Sequence, residues 1–239
     1  MPLTPLGQHL RRGALAGLVA GAVTAAFHLL VTGPVLERAL ALEGAGSGPI
    51  SRTTQKYVGG PAGQLLFGLA VGVLFALAYR VLPGDASPWR RAAGLAAGAA
   101  VVVVLVPQGK YPANPPGVGD AETITTRTSS FLLTYALGLL VVPLAVAGLR
   151  ELRRRGVPEH VRQPSVLAVA VLAVAAGWAL LPARPNAGTL PAELLWDFRV
   201  RALAGLLLFF AVLGTVFGVL EERAHQRGQD RQDRTAPAT

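Results

Sequence analysis

Six apolar segments, each close to the length that crosses a bilayer, constrain everything else this chain can form. They run from Gly13 to Thr32, Gly63 to Leu82, Pro88 to Val106, Ser130 to Leu149, Ser165 to Leu181 and Ala202 to Leu220. A hydrocarbon core of about 30 Å takes roughly 20 residues of helix. Backbone polar groups in lipid must be satisfied within the protein, which favours helices for such runs. Charged residues make up only 15% of the 239 residues, against about 25% in soluble domains. The pattern predicts an all-α, polytopic membrane bundle of about six transmembrane helices, with residues 1–220 as one integral domain. Residues 221–239 are charged, Gln-bearing and poor in apolar side chains, and are expected to form a disordered tail. The first segment is too long for a secretory leader and has no small-residue cleavage pattern, so it reads as a span.

Arginine sets the orientation. With the N-terminus inside, 14 of the 22 Lys and Arg residues fall on inner segments, and the short loop RELRRRGVPEHVR after the fourth span is the most polarised. Both termini are therefore predicted to be cytoplasmic. The outer loops are residues 33–62, 107–129 and 182–201. The net charge of +9 is dispersed along the chain, which argues against nucleic acid as a partner; the lipid bilayer is the expected surroundings.

Small residues recur one turn apart: Gly13, Gly17 and Gly21; Gly68 and Gly72; Gly94 and Gly98; Gly214 and Gly218. Such pairs let helix backbones approach in lipid, where apolar burial alone drives little association. Prolines mark most span ends. Gly33-Pro34 is expected to break the first span, and Pro143 to kink the fourth.

Enzyme motifs are missing from the sequence. It holds no Walker-type phosphate loop and no HExxH, and the absence of Cys removes thiolate chemistry and disulfides. No permanently bound cofactor is expected. His28 is the one clearly titratable side chain within a span, about 22 Å along the helix from Gly13 and so near the outer interface. It suits either an interfacial hydrogen bond or a nitrogen ligand for a divalent first-row cation. Glu37 follows on PVLERALALE, a short amphipathic segment expected at the interface, where it is either a solvated acid or a second ligand. Glu193, Asp197, Arg199 and Arg201 cluster before the last span, with Asp197 and Arg201 at pairing distance along a helix.

The middle outer loop, KYPANPPGVGDAETITTRT, differs from an ordinary linker. Pro112, Pro115 and Pro116 stiffen it, and Lys110, Asp120, Glu122 and Arg127 give it both charges, with Asn114 among its polar residues and Asp120 following Gly119 in a turn context. Asp120 and Glu122 either cap the next helix or offer hard oxygen ligands. Tyr111 and Trp196 suit an interfacial aromatic belt.

This hairpin, the LLWDFR run at residues 194–199 and the PVLERALALE segment resemble the CbtA family of predicted cobalt transporter subunits. The match covers most of the chain, and the hairpin is its specific part. The resemblance implies a bacterial inner-membrane component linked to cobalamin-related cobalt supply, transporting Co²⁺ together with a very small His-bearing membrane subunit. It points to a divalent-metal uptake role, with His28, Glu37, Asp120, Glu122 and Asp197 as candidate ligands in an outer vestibule. A non-transporting scaffold, whose rigid hairpin docks another protein, is the alternative. A homo-oligomer fits either. Two departures from the family pattern stand out: about five spans are usual where six are counted here, and a small hydroxyl residue is expected where this chain has Ala202.

Overall fold

A computed structural model describes residues 5–43, 51–82, 84, 86–115, 124–183 and 190–235. Among these the fold is all helix, and six helices are long and apolar enough to cross a membrane. In chain order the α-helical elements are α1 (Pro5–Phe27), α2 (Gly33–Glu43), α3 (Arg52–Thr54), α4 (Gly60–Val81), α5 (Pro88–Ala100), α6 (Val106–Lys110), α7 (Ile124–Arg154), α8 (Glu159–Leu180) and α9 (Ala192–Thr235). Several join end to end into single long helices.

The joins are π turns: His28–Thr32 between α1 and α2, Gln55–Gly59 between α3 and α4, and Val101–Leu105 between α5 and α6. A proline follows each at the same register, Pro34, Pro61 and Pro107, six residues after the turn begins. The residue before each proline donates its N–H to the first carbonyl of the turn: Gly33 to His28, Gly60 to Gln55 and Val106 to Val101. Proline lacks an N–H, and its ring crowds the carbonyl one turn back. Widening that turn by one residue removes the conflict while the helix continues. The expected break at Gly33-Pro34 is therefore corrected: the apolar helix runs from Leu6 to Leu42. Pro143 lies within α7 without interrupting it. Residues 221–235, read from composition as a disordered tail, continue α9 as helix.

The described chain divides into two compact units. The first comprises residues 1–34, 45–97 and 204–239. Its centre is the pairing of α1 with α4 through glycine. A Cβ on Gly17 would run into the carbonyl of Gly68, and one on Gly13 into that of Gly72. On Gly21 it would lie 2.5 Å from the Gln64 carbonyl oxygen. Backbone meets backbone along three turns, where dispersion and weak polar contacts replace the hydrophobic drive that lipid removes. Aromatic rings of α9 complete this core: Phe209 lies 5.2 Å from Phe67, and Phe217 lies 5.3 Å from Phe75 and 5.1 Å from Tyr79. Gly214 and Gly218 make room for Ala96 and Trp89 of α5.

The second unit comprises residues 35–44 and 98–203. Here Gly138 of α7 faces the backbone of Val102, and Gly177 of α8 faces Leu137. Among the described residues, the close helix contact expected at Gly94 and Gly98 does not form: Gly94 has open space around it, and Gly98 only an ordinary contact, 3.8 Å, with Val142. The two glycines therefore separate close packing from mere abundance. Gly17→Ala is expected to lower stability in detergent by about 1–3 kcal/mol, whereas Gly94→Ala leaves it unchanged or slightly raised, as measured by thermal unfolding. Equal melting temperatures for the two variants would contradict the close α1–α4 contact.

Candidate functional site

The π turn at His28 does more than admit a proline. Within it Thr32 Oγ1 lies 3.1 Å from His28 Nδ1, and Thr32 is buried. The imidazole packs edge-on to Phe27 and against α9, where a Cβ on Gly205 would lie 2.8 Å from His28 Cε1 and 3.3 Å from Nε2. The ring is thus fixed by a hydroxyl on one nitrogen and by a glycine surface beside the other. A ligating histidine is commonly fixed in this way, its second nitrogen tied to an oxygen. One turn before His28, Thr24 is buried with no hydrogen-bond partner for its Oγ1.

The second unit holds the remaining described candidates. Asp197, near the start of α9, receives Arg201 from the next turn at 3.6 Å and Arg38 of α2 at 3.9 Å. The i,i+4 pairing expected from spacing is present, and Arg38 adds a link to α2. Glu37 is exposed on α2 beside Arg38. Asp197 is therefore a shared anchor for two guanidiniums, and a cation approaching it would have to displace them or be repelled by them.

Arg199 has a different task. Its Nη2 donates to Asn114 Oδ1 at 2.8 Å and its Nε to the Ala113 carbonyl at 3.3 Å. Gln108 Oε1 accepts the Ala113 N–H at 2.7 Å, and Tyr111 Oη donates to the Pro182 carbonyl at 2.8 Å. Gly109 lies flat against the Trp178 ring, with no room for a side chain. The described half of the hairpin, with Lys110, Tyr111, Pro112, Asn114 and Pro115, is thus strapped at four points to α8, α9 and its own helix end. Lys110 Nζ stands 5.8 Å from the centre of the Tyr111 ring, and Trp196 is exposed. Pro116, Gly119, Asp120 and Glu122 lie outside the described residues, and the Arg127 side chain is likewise not described.

A polar cluster in the first unit was not apparent from the sequence. Glu221, only 5% exposed, accepts His9 Nδ1 at 2.8 Å and Arg12 Nη1 at 3.0 Å. Beside it, Glu222 Oε2 accepts the Trp89 N–H at 3.1 Å. Arg91 stacks 4.3 Å over the Tyr79 ring and donates to the Tyr79 and Leu82 carbonyls. Composition hid this cluster, because Glu221 opens the most polar stretch of the chain. The available signal was an acid one residue past an apolar run, with His9 and Arg12 preceding the first span on the same predicted face.

Among the described residues, no group of three His, Cys, Asp or Glu side chains could hold a metal ion. Among the same residues, the buried polar side chains are Thr24, Thr32, Ser130, Thr134 and Glu221. Four of the five are hydroxyls. Arg199→Lys is expected to free the strap, because an ammonium cannot reproduce the guanidinium fork. Amide exchange at Ala113 and Asn114 should then speed up by about tenfold; unchanged exchange would show that Arg199 does not hold the loop.

A family model described as "Probable cobalt transporter subunit (CbtA)" matches residues 6–222. No curated protein and no solved structure matches the chain.

Proposed function

Because the chain belongs to the CbtA family, probable cobalt transporter subunits, we propose that it is the membrane subunit that first meets the cation in a cobalt uptake system. It is a multi-pass membrane protein of a transporter-subunit family rather than of an enzyme family. The finer reading places it in a bacterial cytoplasmic membrane with both termini inside. His28 then lies near the outer end of its span, and the three π turns with their prolines belong to the outer side by the alternation of spans.

The observation that carries this reading is the setting of His28. With Nδ1 protonated and donating to Thr32, Nε2 presents its lone pair for a borderline first-row cation. One imidazole is not a selective site, and a divalent ion normally needs several converging donors. In this reading His28 is one ligand of a site completed outside the chain, by a small His-bearing subunit or by a second copy. Glu37, exposed on α2, suits an early electrostatic contact. Asp197 organises the rim through Arg38 and Arg201 before it could ligate. Asp120 and Glu122, outside the described residues, enter this reading from the sequence alone, as capping acids or oxygen ligands. The buried interior offers hydroxyls and no buried carboxylate besides Glu221 among the described residues, which supports a path shared between subunits. Energy would come from a gradient or from another protein, since the sequence has no nucleotide-binding loop.

The strapped hairpin favours a second reading, a docking platform for another protein, because four anchors hold its described half in one shape. Cobalt accumulation in cells expressing this chain with its partner separates the two. His28→Ala is expected to lower accumulation by about tenfold at equal protein abundance, the scale on which removal of one ligand acts. Glu37→Gln should lower it less, and Gly205→Ala, which crowds the ring without removing it, should mimic His28→Ala in part. Wild-type accumulation in His28→Ala would overturn capture and leave the docking reading.

A further inference from the structure

The end of α7 carries a feature that the cobalt reading does not use. Arg150, Arg153 and Arg154 lie three and four residues apart and so share one face of the last helical turns. All three are exposed. The usual employment of basic residues there, capping the final carbonyls, is already filled by backbone. Val157 N–H bonds the Leu152 carbonyl at 3.0 Å and Gly156 N–H bonds the Arg153 carbonyl at 3.1 Å, with Gly156 at φ +73° closing the turn. The nearby acids are also occupied. Glu151 takes Arg155 at 2.8 Å, and Glu159 takes the Gln163 amide.

The same face continues towards the membrane as exposed apolar surface. Counting back from Arg150 by helical steps gives Val146, Pro143 and Leu139, all exposed, with Leu140 and Leu144 alongside at 60% and 61% exposure. An apolar track ending in three guanidiniums matches one class of ligand, an amphiphile with an anionic head. We propose that this face of α7 binds an anionic phospholipid, with its phosphate among Arg150, Arg153 and Arg154 and its acyl chains along Leu139, Pro143 and Val146. Guanidinium forks match phosphate oxygens, and each basic group near a charged membrane surface adds attraction. An acidic segment of another protein would satisfy the arginines and would leave the apolar track unused.

Native mass spectrometry of the full chain, released from bilayers of phosphatidylcholine with a minor share of phosphatidylglycerol, reads the bound lipid. The wild type is expected to retain phosphatidylglycerol preferentially, and R150Q/R153Q/R154Q to lose that preference by about tenfold or more. R223Q/R227Q, which removes arginines from the last turns of α9, should keep it. Soluble glycerol phosphate at matched concentration should not displace the lipid. Equal retention in the wild type and the triple variant would overturn the proposal, as would equal displacement by glycerol phosphate. Displacement by poly-glutamate at matched charge would reassign the face to an acidic protein. If the triple variant does not fold, R153Q alone and the charge-keeping R150K/R153K/R154K give the same reading: lipid preference must fall in the first and largely survive in the second.

Discussion

The contact on which the first unit depends is the glycine seam between α1 and α4. In lipid, two apolar helices gain little by hiding from a solvent that is itself apolar, so association depends on how closely their atoms approach. Gly13, Gly17 and Gly21 bring α1 onto the backbone of Gly72, Gly68 and Gln64. No larger side chain fits at those positions without moving the backbone. The seam fixes the line of α1, and with it the direction of the π turn that carries His28. The rings of Phe209 and Phe217 pack on the α4 aromatics Phe67 and Phe75, and Gly205 of the same α9 provides the surface on which the imidazole rests.

Proline is the second constraint, and it acts by deforming helices without ending them. Three prolines stand at one register behind three π turns, so a single local conflict has met the same solution three times. The solution has a by-product. A π turn rotates the residues that follow it relative to an α-helix, and at His28 the imidazole and the Thr32 hydroxyl meet across it. Among the described residues, His28 and one of the few buried hydroxyls thus sit on the turn that accommodates Pro34.

Much of this architecture is legible in the order of residues, and what is not legible has identifiable causes. The six spans and the glycine repeats depend on local periodicity, so they can be read without knowing what packs against what. Even there, Gly94 and Gly98 carry the same spacing as Gly13 and Gly17 and make no comparable contact, since a repeat shows that a helix can be approached and not that it is. Gly33-Pro34 carries a breaking signal that the wider turn answers. The Asp197–Arg201 pair follows from helical spacing, whereas Arg38 and the Arg199–Asn114 bond join residues far apart in sequence. The Glu221 cluster is hidden for another reason: its acid sits where composition signals solvent, while its neighbours His9 and Arg12 turn it inward. The family resemblance is carried by the hairpin, the WDFR run and the segment after the first span, and it agrees with the family match over residues 6–222.

The proposed function starts from a positioned imidazole, an Asp197 paired with two arginines and, among the described residues, one buried carboxylate, and it therefore assigns part of the ion's path to another component. Uptake of radioactive cobalt by reconstituted vesicles tests this proposal most directly, comparing this chain alone, the proposed small His-bearing subunit alone, and the two together. The account predicts uptake above background only when both are present. Equal uptake by this chain alone would contradict it.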